Sequence, residues 1–334
     1  MSDFLIDSVN LNPEQKLTVT SEFLNSISTG MIFRDARGVI VDCNRAAEEI
    51  LCLSREKLVG ITSADFEKGV IGLDGMPLSF DESWVADALE SEGAHVVAGF
   101  EMPDKVRKWL SIRVWPAIVG GQVMGLMSAF DDVTREVKER RFLSLLTRVK
   151  DAASPHTGED ELLQRICDAI IAEGHYSLAW IGVAAGEGGV DIVCSSGATD
   201  YLYEGIVSWW GTSESGMGPT GTALRTATTQ VAPDLLTQPL FNPWRQRAEQ
   251  FGLSSMIALP IRLGSRPAAV SIYDAHISTF DELSIKGLET IAREIESCIE
   301  ASISVRQRQV AVAESTAAAN ALKRAELSLN ESEQ

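Results

Sequence analysis

Residues 133–153 carry the strongest constraint in this chain. Apolar Val137, Phe142, Leu145, Leu146, Val149 and Ala152 recur among charged residues at the spacing of about 3.5–3.6 residues that marks one helical face. On both sides of this stripe the pattern changes to the period-two alternation of strands. A helix separating two strand-rich blocks predicts two sheet-and-helix modules in series, an α+β organisation with long coiled-coil-type helices joining and following them. Because the helix leaves one module and enters the next, two readings of its stripe stand open. It either lies on its own domain or pairs with the same helix of a second copy.

In the first block, Asn12 followed by Pro13, Glu14 and Gln15 predicts a helix start, with a capping side chain and a pre-set φ, running to about Ser28. The segment MIFRDARGVIVDCN predicts two short strands joined by a turn at Asp35 to Gly38, with Asn44 placed to cap the helix RAAEEILCL. From Lys108, WLSIRVWPAI, the turn GGQ and VMGLMSAFDDVT predict two more antiparallel strands, with helices filling the interval before them.

Pro155 and Gly158 punctuate the next boundary. The helix ELLQRICDAIIAEG then leads to the strands YSLAWIGVAA and VDIVCSSGA, and later to SSMIALPIRL, AAVSIYDA and a final helix from Phe280. That helix runs past Ile295, Ile299 and Ile303 into a tail rich in Ala, Glu and Arg. Such a tail does not bury itself alone and is expected to pair with another chain.

The length of 334 residues suits two domains, and 45% apolar with 23% charged residues supports packed cores. A formal net charge of −18 opposes nucleic acid and anionic lipid as direct partners. The sequence shows neither a membrane-length apolar run nor a secretory leader, so a cytoplasmic location is expected. Five scattered cysteines without a C-x-x-C pair, and four histidines (His95, His156, His175, His276) without metal-binding spacing, predict no metal site. No G-x-S-x-G elbow occurs, and the acid pairs read as solvated faces, so no catalytic residues are predicted.

The stretch GMGPTGTALRT at residues 216–226 tests a nucleotide-binding reading. A P-loop needs a Gly-Lys-Ser/Thr ending, whereas Gly221 is followed by Thr222 and Ala223. What survives is a helix opened by Gly218 to Thr220, whose free N–H groups either meet one anionic group of a small ligand or simply start a helix beside a pocket. Aromatics gather in the same module. The predicted ligand pocket draws on Trp180, Trp209, Trp210, Met217, Gly218, Thr220, Thr222, Trp244, Ser255 and Tyr273. An ordinary core with surface tryptophans is the alternative.

At this point the residues resemble known families. STGMIFRDARGVIVDCNRAAEEILCLSREKLVG, ending on DDVT, is similar to a PAS domain, with Asn44 as helix cap and Asp132 and Thr134 matching the D-x-T motif that joins PAS domains to their output helix. The resemblance implies a role for Asp132 and Thr134 in signal transfer. GHYSLAWIGVA, GMGPTGTALRT, QPLFNPWRQRAEQFGLSSMIALPI and AVSIYDAHISTFDELSIKGLETIA together resemble a GAF domain. The expected layout is an N-terminal helical cap at 1–19, a PAS-like domain at 20–135, a connecting signalling helix at 136–156, a GAF-like domain at 157–303 and a coiled-coil helix at 304–334.

LVGITSADF stands where the light-sensing PAS subgroup carries its flavin stretch, and neither the cyclic-nucleotide signature nor the bilin-pocket motifs of GAF domains appear. Flavin and bilin are therefore not expected. Both families include haem binders, but His175 and His276 show no special spacing, and the cofactor is left unnamed. The resemblance implies a homodimeric sensory module of the kind found in two-component and cyclic-di-GMP signalling, non-enzymatic in itself, with a small-molecule ligand and an output domain or partner signalling protein. The tail ALKRAELSLNESEQ resembles the helix leading into a further domain, which places any kinase, diguanylate cyclase or phosphodiesterase activity beyond Gln334. A non-sensing dimerisation scaffold is the other alternative.

Overall fold

The computed structural model describes residues 12–62, 65, 69–78, 94–153, 158–203 and 216–332, with side chains described as far as residue 321. The chain divides into two compact units, Met1–Val137 and Lys138–Gln334.

The first unit opens with α1 (Pro13–Ser26). The Asn12 side chain accepts from Gln15 N while the Gln15 side chain accepts from Asn12 N, the reciprocal capping box that the sequence pattern calls for. Then follow β1 (Gly30–Asp35), β2 (Ile40–Cys43), α2 (Arg45–Leu51), α3 (Arg55–Leu58), β3 (Ile71–Gly72), β4 (Ala94–Glu101), β5 (Arg107–Val119) and β6 (Gln122–Asp132). They form one antiparallel sheet in the order β2-β1-β6-β5-β4-β3. Its core packs Ile32, Ile40, Leu51, Leu58, Leu110 and Phe130.

The sequence reading has four strands here, with helices between Leu58 and Lys108; the structure adds β3 and β4. β3 is two residues long and exists through its pairing with Ala98 and Gly99 of β4, so no local propensity announces it.

Asn44 is the polar hub of this unit. It is buried; its Oδ1 accepts from Ala47 N at 3.0 Å and Met31 N at 2.8 Å, and its Nδ2 donates to Leu24 O and Thr29 O at 3.0 Å each. One side chain thus caps α2, pins the start of β1 and holds the end of α1.

A long helix, α4 (Thr134–Ala152), leaves β6. Thr134 fixes the turn: its hydroxyl donates to Asp132 Oδ1 at 2.5 Å and accepts from Trp109 N at 2.9 Å, while its own N–H donates to Asp132 Oδ1 at 3.0 Å. The D-x-T residues therefore tie the last strand to the first turn of the helix.

The second unit contains most of α4, then α5 (Glu159–Gly174), β7 (Leu178–Ala184), β8 (Val190–Gly197), α6 (Pro219–Thr226), β9 (Gln230–Ala232), a 3-10 segment (Pro239–Trp244), α7 (Arg245–Gln250), β10 (Ser255–Leu263), β11 (Arg266–Asp274) and α8 (Glu282–Ser332). The antiparallel sheet runs β8-β7-β11-β10-β9. One core joins the helices to the sheet through Leu163, Ile166, Ile170, Ile181, Ile257, Val270, Leu288 and Ile295. A second, aromatic core contains Leu178, Trp180, Tyr201, Phe241, Trp244, Met256 and Tyr273.

The helical stripe of α4 is covered by its own chain. Leu145, Val149 and Ala152 are buried in the helix-face core, and Phe142 packs against it. Of the two readings of the stripe, this is the one in which the helix lies on its own domain, and the pairing of this stripe with a second copy is corrected accordingly. The close approach has a backbone reason: a Cβ on Gly287 of α8 would stand 2.6 Å from Phe142 Cδ2. Lys138 Nζ braces the same pair of helices, bonding Asp281 Oδ2 at 2.8 Å and Ser284 Oγ at 3.2 Å. From residue 306 to 321 every residue of α8 is exposed, Val310 and Val312 by 52% and 65%. Among the described residues, no helix is long and apolar enough to cross a membrane.

Candidate functional site

The aromatic face of the second sheet encloses the best-formed site. Register decides which side chains reach it. Met256 pairs with Tyr273, and Tyr273 with Leu178, so these residues, with Trp180 two positions on, share one face. Ser255, one residue before Met256, belongs to the opposite parity and donates its hydroxyl to His276 O at 2.6 Å.

Over this face lies α6. Gly218 is its N-cap, with no side-chain capping bond. A Cβ there would stand 2.6 Å from Trp244 Cζ3, which is why only glycine lets the indole close on the helix start. Buried Thr220 and Ser271 share a hydroxyl–hydroxyl bond of 2.8 Å that docks α6 on β11.

The far wall is aromatic. Phe241 and Trp244 stand 5.5 Å apart between ring centroids, and Tyr201 and Tyr273 5.4 Å apart. Arg247 holds the Tyr201 turn, its Nε donating to Tyr201 O and its Nη2 to Asp200 O, both at 2.6 Å.

These parts enclose a cavity of about 20 Å³ bounded by Trp180, Ile192, Tyr201, Leu202, Gly218, Pro219, Thr220, Gly221, Phe241, Trp244, Met256 and Tyr273, room for about one water molecule. Burial pushes both phenols well above their ordinary range, Tyr201 further because of its neighbour Tyr273, so each is a neutral O–H at physiological pH. Trp180 Nε1–H is buried beside the Tyr273 hydroxyl without closing a hydrogen bond of normal geometry. The wall therefore offers neutral donors, and among the described residues no carboxylate, histidine or cysteine lines it. Such a lining suits a hydrogen-bond acceptor.

Of the predicted pocket residues, the structure brings together Trp180, Gly218, Thr220, Trp244 and Tyr273. It does not bring Met217, Thr222 or Ser255 to the cavity: Met217 is 40% exposed, and Thr222 donates back to Met217 O and accepts from Arg225 Nη2. Trp209 and Trp210 lie outside the described residues. Sequence reasoning missed Tyr201, Phe241 and Met256. Met256 was legible from strand alternation opposite Tyr273, whereas Tyr201 and Phe241 sit in 3-10 turns that no periodicity marks.

The histidines considered for haem are engaged locally. His175 ends α5 in a left-handed conformation, and His276 Nδ1 lies 2.9 Å from Asp274 Oδ1. No group of three or more metal-ligating side chains occurs among the described residues. The first unit carries an open groove of about 780 Å³ between α1 and the β1–β2 hairpin. Its Cys43 thiol is pushed up to about 11 by burial and then by Glu48 and Asp42, so it is an unreactive thiol at neutral pH.

Comparison with known proteins matches residues 20–67 to the PAS fold and residues 156–300 to GAF_2, a GAF domain. No curated protein matches the chain. Among solved structures, the free methionine-R-sulfoxide reductase of Neisseria meningitidis in complex with its substrate is similar at 16% identity and a TM-score of 0.40, over 51% of this chain and 92% of that one. The nlh2 GAF domain of A. aeolicus in an inactive state is similar at 14% and 0.40, over 49% and 98%. A PAS domain from Colwellia psychrerythraea is similar at 15% and 0.29, over 36% and 98%. Likenesses of this size assign no activity. PAS and GAF domains are sensory, and the chain is a sensory regulatory module.

Proposed function

We propose that this chain, a PAS domain followed by a GAF domain, senses a small neutral or acceptor-bearing molecule in the GAF cavity and passes the occupied state to α8. The observation that carries the reading is the buried Trp180 N–H, the one lining side-chain donor without a partner among the described residues. A buried donor without a partner is costly, and a ligand that supplies the acceptor gains that energy only in the arrangement that holds it. Differential affinity of this kind is what shifts a two-state equilibrium.

The PAS side contributes through Asp132 and Thr134. Their bonds to Trp109 and to the first turn of α4 make a strand movement and a helix movement one event. Lys138, Phe142 and Gly287 then couple α4 to α8. We assign dimerisation to the uncovered part of α8, where Val310 and Val312 are exposed, and the output to a kinase or cyclic-di-GMP domain or to a partner signalling protein. The setting is cytoplasmic, and the chain itself is not an enzyme.

The test is native mass spectrometry of protein purified from its own host, with Trp180→Phe beside it. A retained small molecule that Trp180→Phe loses supports sensing. A cavity of only about 20 Å³ favours a second reading, a dimerisation scaffold filled by its own side chains. An empty protein whose unfolding temperature no metabolite shifts establishes that reading instead, and turnover of any substrate overturns both. A monomer at tens of micromolar in analytical ultracentrifugation removes the dimer.

A further inference from the structure

Two cysteines far apart in sequence meet inside the second unit. Cys167 on α5 and Cys194 on β8 place their sulfurs 3.1 Å apart, about an ångström beyond the length of a disulfide, which is roughly 2.05 Å. Both are buried in the helix-face core. Cys194 sits on the outermost strand of the sheet, where backbone opens most readily.

The strand is irregular at this point. Ile181 pairs with Cys194 but Gly182 pairs with Ile192, so Val193 is the extra residue of a β-bulge. The bulge reverses the normal parity: Ile192 lines the aromatic cavity while Cys194, two residues on, faces the helices. The strand segment that forms the cavity wall is therefore joined directly to the sulfur pair on the other face.

We propose that Cys167 and Cys194 form a peroxide-oxidisable pair that closes reversibly to a disulfide, pinning the outer strand of the GAF sheet to α5. Cys194 is the attacking sulfur: it is 6% exposed while Cys167 is fully buried, and Cys167 is kept protonated by its hydrogen bond to Cys194 and by burial. Cys194 gives up its thiol proton and the thiolate attacks one oxygen of hydrogen peroxide; the O–O bond breaks, and the departing hydroxide takes up that proton as the first water, with sulfenic acid on Cys194. The Cys167 sulfur then attacks that sulfur, the S–O bond breaks, and hydroxide leaves with the Cys167 proton as a second water. Two thiols give up two electrons and two protons, and one peroxide becomes two waters.

The full chain supplies its own controls. Cys52 is exposed, Cys43 half-buried, and Cys298 buried with Val149 O as its neighbour on another element. Treatment with hydrogen peroxide followed by alkylation and non-reducing peptide mapping is expected to yield one dominant linked peptide, Cys167 to Cys194, restored to thiols by dithiothreitol. The GAF unfolding temperature should rise by about 5–10 °C on oxidation. Cys167→Ser and Cys194→Ser each lose the linkage and the shift, whereas Cys43→Ser with Cys52→Ser keeps both. Wild-type mapping stands without any variant: oxidation confined to Cys43 and Cys52, or no linked peptide after hours in millimolar peroxide, overturns the proposal. The readout is independent of any ligand in the cavity, so its failure leaves the sensing reading untouched, and the reverse also holds.

Discussion

The two sheets of this protein solve the same problem with different materials. In the GAF sheet, β7, β10 and β11 are buried along nearly their whole length because cores lie on both faces. In the PAS sheet, β5 and β6 mix buried with half-buried and exposed positions, and their hairpin end leaves Ile118, Val119, Val123 and Met124 uncovered. Strands buried on both faces read as continuous apolar runs, and strands buried on one face alternate. LAWIGVA and SMIALPIRL against WLSIRVWPAI is that difference written in sequence. The PAS unit also buries a polar hub, Asn44, with four hydrogen bonds.

Substitutions can break this contrast in the full chain, read by denaturant unfolding with hydrogen exchange assigned to each unit. Ile257→Ala in β10, fully buried, should cost about 3–4 kcal/mol and strip protection from the GAF sheet alone; Ile118→Ala, 61% exposed, should stay within about 0.5 kcal/mol. Asn44→Ala removes a buried residue with four hydrogen bonds and should cost about 2–3 kcal/mol, confined to the PAS unit. An equal loss in both units would show that the polar hub is not local.

Gly287→Ala puts a methyl group into the Phe142 ring and should cost about 1–2 kcal/mol. Phe142→Leu in the same chain should recover part of it, so a double-mutant cycle with no coupling would deny the contact.

The smallest effect is electrostatic. Burial alone raises Asp281, but the Lys138 ammonium and the Ser284 hydroxyl and amide outweigh it and hold the carboxylate below its usual value. A group depressed by folding contributes fully above its unfolded pKa, about 3.9, and loses that contribution as pH falls through the folded value. Asp281→Asn should therefore cost about 0.5 kcal/mol at pH 7, discounted for its solvent exposure, and nothing once the pH is below the folded pKa. A difference that persists in acid would assign the effect to packing instead.

Much of the fold was legible because it rests on local rules. The cap at Asn12, the turn before Gly38, the cap at Asn44 and the paired strands on either side of the connecting helix all follow from neighbours in sequence. β3, β4 and β9 were not read, since a short strand such as Ile71–Gly72 is stabilised by the partner it pairs with. The site was legible by half. Trp180, Gly218, Thr220, Trp244 and Tyr273 announce themselves by residue type beside a helix start, but Ser255 and Met256 differ only in parity, and the register to Tyr273 chooses between them.

The sequence by itself determined the class of the molecule, two α+β modules in series with a net acidic charge, because periodicity and residue chemistry are properties of adjacent positions. Only the tertiary structure decided that the stripe of α4 is covered by its own domain, that the cavity closes to the size of a water molecule, and that Cys167 meets Cys194. Each of these depends on which distant surfaces come within a few ångströms, and that distance is set by packing the whole chain at once.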